Sequence, residues 1–364
     1  MFADYTNGIT NLACSILKNY GAEYTHDTLR ELDTLLEYPY KNVVVMLFDG
    51  MGMDALKHHL PETSFLRTHL LSEYSSVFPP TTTAATTTIE SGLTPVEHGW
   101  LGWSLYFSEV NKIVNAFHNT MNDTRDQAAK FHVAGRYLPY KSIYEKINET
   151  GNAKSYSVSR FGSNKINTLA ELFQETTRLT QQEDRKYIYT YWDQPDGEMH
   201  DHGCYASTVA VTIQEIDQRV QHMCETLQDT LVIVTADHGH NNLTYYILSD
   251  YPDIVEMLQR PISLEARAAA FYIKKEYLSE FPIKFHERFG EDFILLSKEQ
   301  VKEQKLFGDG IPHPKFEAFI GDYLAVAIAD KGIVFSRKSN IFKSNHSGAT
   351  EKEMMIPLIV VDKK

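Results

Sequence analysis

The sequence predicts an α/β protein built around a parallel β-sheet. Three continuous apolar runs, residues 43–49, 186–193 and 231–237, each end on an aspartate. Apolar runs of strand length are typical of strands that are buried on both faces, as in a parallel sheet. Residues 209–227 place apolar side chains every three or four positions, which predicts an amphipathic helix between the second and third strands. Strand, helix and strand with short connections form a βαβ unit, which implies parallel pairing.

The remaining elements follow from periodicity and turn signals along the chain. Residues 9–36 predict two short helices, and Gly151 is a suitable residue to end a helix over 142–150. The less regular segment 240–335 separates two polar motifs, so we expect one catalytic domain, 1–364, with a small cap inserted at about 240–335. Further strands are predicted over 75–78, 155–159, 269–274, 324–329 and 357–361, and further helices over 169–179 and 298–304.

Composition limits the classes of protein to which this chain can belong. The 364 residues carry a formal net charge of −13, from 48 acidic against 35 basic residues, which argues against binding of a nucleic-acid polymer. Three cysteines without a CxxC pair predict free thiols. No apolar run approaches the roughly 20 residues of a membrane span, and the first residues lack a signal-peptide pattern. We therefore expect a cytoplasmic protein without membrane association, and nothing predicts its oligomeric state.

Polar side chains follow the three central strands. Because the carboxyl ends of parallel strands meet at one edge of a sheet, ligands bind there, and Asp49 and Asp237 should lie close together. His238 follows Asp237 directly. In the middle segment, Asp196 and His200 have the i, i+4 spacing that places two side chains on one helix face, with Asp193 and His202 as competitors. Carboxylates and imidazoles in this arrangement predict a metal site.

A tract of six threonines in eight positions, residues 81–88, follows Pro80. Branching at Cβ makes threonine a poor residue for a helix interior, whereas proline and threonine both suit a helix start. Such a start offers free backbone N–H groups to an anion, and a threonine hydroxyl there can act as a nucleophile when a metal lowers its pKa. The alternative is a capping tract whose hydroxyls bond backward along the helix.

Five motifs in order resemble the alkaline phosphatase superfamily, most closely its nucleotide pyrophosphatase/phosphodiesterase (type I phosphodiesterase) branch. The resemblance implies a three-layer α/β/α core with a mostly parallel sheet. The motifs are Phe48-Asp49-Gly50, the tract from Phe78 to Gly99, Pro195-Asp196-Gly197-Glu198-Met199-His200, Thr235-Ala236-Asp237-His238-Gly239, and Asn345-His346-Ser347-Gly348-Ala349-Thr350 leading into Pro357.

By position, the resemblance implies a two-metal hydrolase that cleaves phosphodiester or pyrophosphate bonds of small molecules, with nucleotides as expected substrates. Zn²⁺ is the expected metal and Mn²⁺ the alternative. Thr82, flanked by Thr81 and Thr83, would attack phosphorus and form a phospho-threonine. The implied ligands are Asp49, Thr82, Asp237 and His238 for one ion, and Asp196, His200 and His346 for the other.

Three questions stay open at this point. Family diesterases usually have an asparagine three residues after the nucleophile, where this chain has Ala85, so a phosphomonoesterase on the same site is the nearest alternative. A non-catalytic metal- or nucleotide-binding protein is the alternative of another class. His98 and His240 are interpreted as supporting residues and not as ligands. Four aromatic residues could either stack on the nucleobase of a substrate or belong to the hydrophobic core: Trp100, Trp103, Tyr106 and Phe107.

Overall fold

The computed structural model describes residues 1–364 and contains a central seven-stranded sheet. Asn42–Phe48 lies in its middle and pairs in parallel with Lys186–Trp192 on one side and Thr230–Thr235 on the other. All residues of Asn42–Phe48 and Thr230–Thr235 are buried, as continuous apolar runs predict. The order across the sheet is Leu70–Ser75, Met355–Lys363, Thr230–Thr235, Asn42–Phe48, Lys186–Trp192, Lys154–Ser159 and Asn164–Lys165.

Helices pack on this sheet in two groups. Ile9–Asn19 contacts Arg30–Leu36, Thr82–Ser91 and Ile143–Glu149, whereas Ser207–Thr226 contacts a separate set. That second set consists of Met53–His59, Phe65–Thr68, Leu169–Thr180 and Asp196–His202. Val209, Ile213, Ile216 and Val220 on the long helix are fully buried, so the apolar repeat seen in the sequence faces the core. The predicted α/β class with a mostly parallel sheet is confirmed.

A second seven-stranded sheet is antiparallel and lies outside the βαβ units. It joins two parts of the chain, because Ser104–Phe107 pairs with Ser263–Leu264. Part of this sheet therefore comes from residues before the segment 240–335, and the division into one domain and a cap stays a prediction. The order is Phe293–Ser297, Tyr323–Ala327, Ala268–Phe271, Ser263–Leu264, Ser104–Phe107, Lys112–Asn115 and Thr120–Met121.

Shorter elements complete the chain. Asn241–Asn242 pairs with Ser344–Asn345, which brings together the two ends of the segment between them. Thr244–Ile247 pairs in parallel with Lys331–Val334. The short helices are Pro95–His98, Val133–Tyr137, Pro252–Met257, Phe281–Phe289, Lys298–Glu303, Phe316–Phe319 and Glu351–Met354, with 3₁₀ turns at Leu248–Asp250 and Lys275–Tyr277.

The structure corrects one predicted strand. Residues 76–78 are not part of a strand; the strand is Leu70–Ser75, an edge strand that pairs antiparallel with Met355–Lys363. The edge position explains the error, because only the last two residues of this strand are buried and its sequence lacks a continuous apolar run. All three cysteines are buried and free. None of the helices combines the length and apolar character needed to cross a bilayer.

Candidate active site

The three strand ends meet at one edge of the central sheet. Asp49 and Asp196 are tied together by their backbones, since the Asp49 N–H donates to the Trp192 carbonyl and the Asp196 N–H donates to the Asp49 carbonyl, at 2.9 and 3.0 Å. The loops after strands Asn42–Phe48 and Thr230–Thr235 touch at Gly52 and Gly239. A Cβ on Gly52 would lie only 2.4 Å from the Gly239 Cα, so this approach requires glycine.

The first group of site residues surrounds the imidazole of His238. Its Nε2 lies 3.3 Å from Asp49 Oδ1 and 3.4 Å from Asp237 Oδ2. Asp237 Oδ1 accepts the backbone N–H groups of Gly50 and His238 at 3.1 and 3.0 Å, whereas its Oδ2 is buried without a hydrogen-bond partner. Two adjacent buried carboxylates and an unpaired oxygen are the arrangement that a cation would stabilise.

Thr82 belongs to this first group. Its Oγ1 lies 3.2 Å from His238 Nε2 and 3.3 and 3.4 Å from the two oxygens of Asp49. Thr82 is the first residue of the helix Thr82–Ser91, and Thr81 is its N-cap. The threonine tract is therefore helical, and part of it bonds backward, since Thr86 Oγ1 donates to the Thr82 carbonyl at 2.6 Å.

The second group surrounds Asp196, at the start of the helix Asp196–His202. Its Oδ1 lies 3.3 Å from His200 Nε2, as the i, i+4 spacing predicts, and 3.8 Å from His346 Nε2. His240 approaches most closely, with its Nε2 at 2.6 Å from the same oxygen. The ligand atoms of Asp196, His238, His240 and His346 all lie within 4.8 Å of one another, so the two groups adjoin.

The hydrogen bonds of the imidazoles indicate which ring nitrogen is directed at the carboxylates. Nδ1 of His200 lies 2.8 Å from the Ser344 carbonyl, and Nδ1 of His238 lies 3.1 Å from the Gly239 carbonyl. Because a carbonyl only accepts, Nδ1 carries a proton in each ring, so Nε2 is the nitrogen that a metal would bind. The Nδ1 of His346 lies 3.2 Å from the Pro80 carbonyl and 3.0 Å from the Ser347 hydroxyl, and a hydroxyl can both donate and accept. In His240, Nε2 lies 2.6 Å from Asp196 Oδ1 and Nδ1 lies 3.2 Å from the Ser344 hydroxyl, so its Nε2 is also directed at the cluster, and its role as a supporting residue stays a prediction.

Burial and neighbouring charges shift the pKa values of these groups strongly. Burial, together with Asp49, raises the pKa of Asp237 well above its usual value. Burial would lower the pKa of His238, but Asp237 and Asp49 outweigh it and raise that pKa to about 10. Burial and the neighbouring imidazoles hold the pKa of His346 well below its usual value. Without a metal, His238 is therefore the cation that balances the carboxylates, and a bound metal would replace its proton.

Other predicted candidates lie outside the two groups. His202 is half-exposed and its Nε2 lies 3.8 Å from Glu198, and Asp193 pairs with Arg160 at 3.4 Å. His98 is a buried structural residue that contacts Thr88 and the Trp100 backbone N–H. Ala85 is fully buried and belongs to the main hydrophobic core. Among the aromatic candidates, Trp100 and Phe107 are buried in the second core.

Sequence reasoning missed two residues that contact the site. Tyr191, on the strand before Asp193, donates its hydroxyl to Asp49 Oδ2 at 2.5 Å. Glu265, in the turn after Ser263–Leu264, accepts the Thr81 hydroxyl at 2.7 Å and the Trp103 backbone N–H at 2.6 Å, both on Oε1. Burial raises the pKa of Glu265 to about 7, against these hydrogen bonds and the fields of His238 and His200. Neither residue belongs to a local motif, so only the strand-end position of Tyr191 was a usable signal.

Comparison with known families decides the classification. A sequence model described as "Type I phosphodiesterase / nucleotide pyrophosphatase" matches residues 43–339, which is most of the chain. The chain belongs to this family. The matched range begins at the first central strand and includes all site residues except His346. The type I phosphodiesterase assignment confirms the resemblance inferred from the motifs and gives phosphoester hydrolysis as the reaction class.

Solved structures agree with this type I phosphodiesterase assignment at the level of the fold. Human ectonucleotide pyrophosphatase / phosphodiesterase 5 is 19% identical, with a TM-score of 0.66 over 87% of each chain. Its murine counterpart is 18% identical, with a TM-score of 0.65 over 87% of each chain, and an inactive form of it is in complex with AMP. Phosphonoacetate hydrolase from Sinorhizobium meliloti 1021, in complex with phosphonoformate, is 16% identical, with a TM-score of 0.66 over 89% of this chain and 90% of that chain. Comparison with curated protein sequences gave no match.

Proposed function

We propose that this type I phosphodiesterase family member cleaves phosphodiester or pyrophosphate bonds of small phosphorylated molecules, nucleotides among them, through a covalent intermediate on Thr82. One observation carries the proposal: the Thr82 hydroxyl stands at a helix N-terminus, 3.2 Å from His238 and within 3.4 Å of Asp49. A nucleophile in contact with a cluster of metal-type ligands is what a metal-activated hydroxyl requires.

The residues present fit two divalent ions. Asp49, Thr82, Asp237 and His238 would hold the first. Asp196, His200 and His346 would hold the second, three ligands with one position left open. A mixed set of nitrogen and carboxylate ligands suits Zn²⁺, and Mn²⁺ is the alternative. When bound, such ions lower the pKa of a hydroxyl and neutralise charge that develops on the phosphoryl oxygens.

The chain's own groups then perform two displacements. Thr82 Oγ forms a bond to phosphorus as it gives up its proton, and the bond to the ester oxygen breaks, so the first product leaves as a protonated alcohol or phosphate. A water molecule next breaks the bond between phosphorus and Thr82 Oγ, which recovers its proton. The first backbone N–H groups of the helix Thr82–Ser91 have no partners within the helix and face the end where a phosphoryl oxygen would lie.

Substitutions in the threonine tract test this assignment. Thr82→Ala should lower kcat by about four orders of magnitude or more, with both metals retained, because the nucleophile is lost while the carboxylates and imidazoles remain. Thr82→Ser keeps a hydroxyl and should retain turnover. Thr83→Ala is the matched control, since the Thr83 hydroxyl is buried and has no hydrogen-bond partner. Full turnover by Thr82→Ala with bis(p-nitrophenyl) phosphate would contradict the mechanism.

The nearest alternative is a phosphomonoesterase on the same site. Comparing kcat/KM for bis(p-nitrophenyl) phosphate with that for p-nitrophenyl phosphate separates the two functions, and faster monoester hydrolysis would reverse the assignment. If the metal-loaded protein binds phosphoesters and hydrolyses neither, it is a non-catalytic binding protein. The small ligands held by the solved relatives, AMP and phosphonoformate, support a small-molecule substrate and not a nucleic-acid polymer.

A further inference from the structure

The second sheet ends on a strand that has no neighbour on its outer side. Phe293–Ser297 is the first strand in the order of that sheet, and it pairs with Tyr323–Ala327 alone. An unpaired strand edge is a template for pairing with another chain. Proteins usually protect such an edge by making it very short or by placing charge or proline on it.

The other three sheet edges are protected in this way. Asn164–Lys165 and Thr120–Met121 are only two residues long. Leu70–Ser75 is longer, but it carries Glu73, which is part of an ion pair. Phe293–Ser297, by contrast, has five residues, and none of them is charged or a proline. This strand is therefore the one sheet edge without protection.

The backbone of this strand leaves two residues free to pair outward. Asp292 and Lys298, directly before and after it, both form backbone hydrogen bonds toward the neighbouring strand. Because inward and outward positions alternate in an antiparallel pair, the backbone groups of Phe293 and Leu295 point outward. Ser297 also points outward, but its N–H is already bonded to a side chain of the following helix. The N–H and C=O groups of Phe293 and Leu295 therefore remain available to a further strand.

Apolar side chains surround this edge. Ile294 is 37% exposed, and Ile328, which follows the neighbouring strand, is 43% exposed. A groove of about 550 Å³ lies between the edge strand and the helix Phe281–Phe289, and the partly exposed Leu295 lines it. Exposed apolar surface beside an unpaired strand indicates a site of contact with another molecule.

The edge is complementary to itself. If two copies of the strand pair antiparallel about Ile294, Phe293 of each copy lies opposite Leu295 of the other, and each such pair exchanges two backbone hydrogen bonds. Ile294 then lies opposite Ile294 of the second copy, and β-branched side chains in this position stabilise strand pairing. Asp292 of one copy lies diagonally opposite Lys298 of the other, within reach of its long side chain. In a parallel pairing, like charges would meet instead.

We propose that the protein forms a homodimer by antiparallel pairing of Phe293–Ser297 with the same strand of a second copy, so that the two antiparallel sheets become continuous. The dimer is isologous, with its two-fold axis at Ile294. Leu295 of each copy packs against Phe293 of the other, beside the groove. No residue of the two metal groups lies on this strand, so the inference is independent of the proposed function.

Sedimentation velocity over a concentration series tests the dimer. The mass of the wild-type protein should approach twice the chain mass of 41.7 kDa as concentration rises. Ile294→Lys places two ammonium groups opposite each other and should weaken dimerisation by about a hundredfold or more. Val211→Lys is the matched control and should stay dimeric. Val211 is also β-branched and exposed, but it lies on the helix Ser207–Thr226, which packs on the central sheet.

A charge-swap experiment tests the position of the two-fold axis. Ile294→Lys and Ile294→Glu should each be monomeric, because residue 294 of one copy faces residue 294 of the other. An equal mixture of the two variants should form dimers that contain one copy of each. Because Ile294 is partly exposed, both variants should keep the circular dichroism spectrum of the wild-type protein and its turnover of bis(p-nitrophenyl) phosphate.

Three results would overturn the inference. A wild-type protein that stays monomeric over the whole series excludes a second copy at this edge. A dimer that survives Ile294→Lys has its interface elsewhere. If the lysine and glutamate variants do not associate when they are mixed, residue 294 does not face itself, and the proposed pairing is wrong. Failure of the proposed function would leave all three measurements unaffected, since none of them depends on turnover.

Discussion

The buried ion pair between Arg267 and Glu353 should be one of the most sensitive positions in the protein. Both side chains are fully buried. The guanidinium binds both carboxylate oxygens, with Nε to Oε1 at 2.6 Å and Nη2 to Oε2 at 2.7 Å. The carboxylate also accepts the Gly348 backbone N–H at 2.7 Å and the Thr350 hydroxyl at 2.5 Å. One carboxylate thus joins the second sheet to the loop that carries His346.

Glu353→Ala should lower the free energy of unfolding by about 3–5 kcal/mol, because it leaves a buried guanidinium without its counter-charge. Arg267 keeps two hydrogen bonds, from Nη1 to the carbonyls of Ala329 and Lys331, and these do not neutralise it. The double variant Arg267→Met/Glu353→Leu removes both charges and should recover much of the loss. The free energy of unfolding of the wild-type protein, the single variant and the double variant is measured by urea unfolding monitored by circular dichroism.

The control is an ion pair at the protein surface. Lys302 and Glu317 lie 2.5 Å apart with both side chains about half-exposed, and Glu317→Ala should leave the urea midpoint unchanged. The reasoning is refuted if Glu353→Ala costs less than about 1 kcal/mol, or if the double variant is no more stable than the single one. Since Arg267 and the hydrogen bonds outweigh burial and lower the pKa of Glu353, its stabilisation should persist above pH 4.5 and be lost only as pH falls through that lowered value.

Two further predictions concern the metals and a second buried carboxylate. Removal of the metals by a chelator should abolish turnover, and about two Zn²⁺ per chain should restore it. Metal at 100 times its Kd should also add about 2.7 kcal/mol to the free energy of unfolding. Activity in a metal-free preparation would refute the two-metal site. Burial raises the pKa of Glu90 despite hydrogen bonds from Tyr140 and Tyr144. The folded state therefore loses stability as pH rises from 4.5 through that raised value. Glu90→Gln should raise the melting temperature at pH 8, and the gain should disappear below about pH 4.5; an equal gain at both pH values would contradict this assignment.

Much of the central fold was predictable because its strands are buried on both faces. The runs at 43–48, 186–192 and 231–235 contain apolar side chains at nearly every position, and few other structures need such a run. Leu70–Ser75 was missed because it is an edge strand with partly exposed, polar positions. The second sheet could not be assembled from the sequence, since Ser104–Phe107 and Ser263–Leu264 pair across more than a hundred residues and carry no local signal of that pairing.

The candidate site likewise contains residues that the sequence predicted and residues that it did not. Asp49, Asp237 and His238 were predictable from their position after buried strands, and Asp196 and His200 from their helical spacing. Glu265 was not, because it reaches the nucleophile loop from a turn of the second sheet. Tyr191 lies on a predicted strand, but its contact with Asp49 depends on which face of the sheet its hydroxyl occupies.

The sequence by itself determined the α/β class, the family, and the set of carboxylates and imidazoles at the strand ends, because these depend on periodicity and on motifs that are contiguous in the chain. Only the tertiary structure decided that Nδ1 of His200 and Nδ1 of His238 face backbone carbonyls, that His240 contacts Asp196, and that Glu265 lies beside Thr81. The physical reason is that hydrogen-bond direction and side-chain proximity depend on contacts between distant segments. Those contacts are set by packing of the two sheets and not by local propensity.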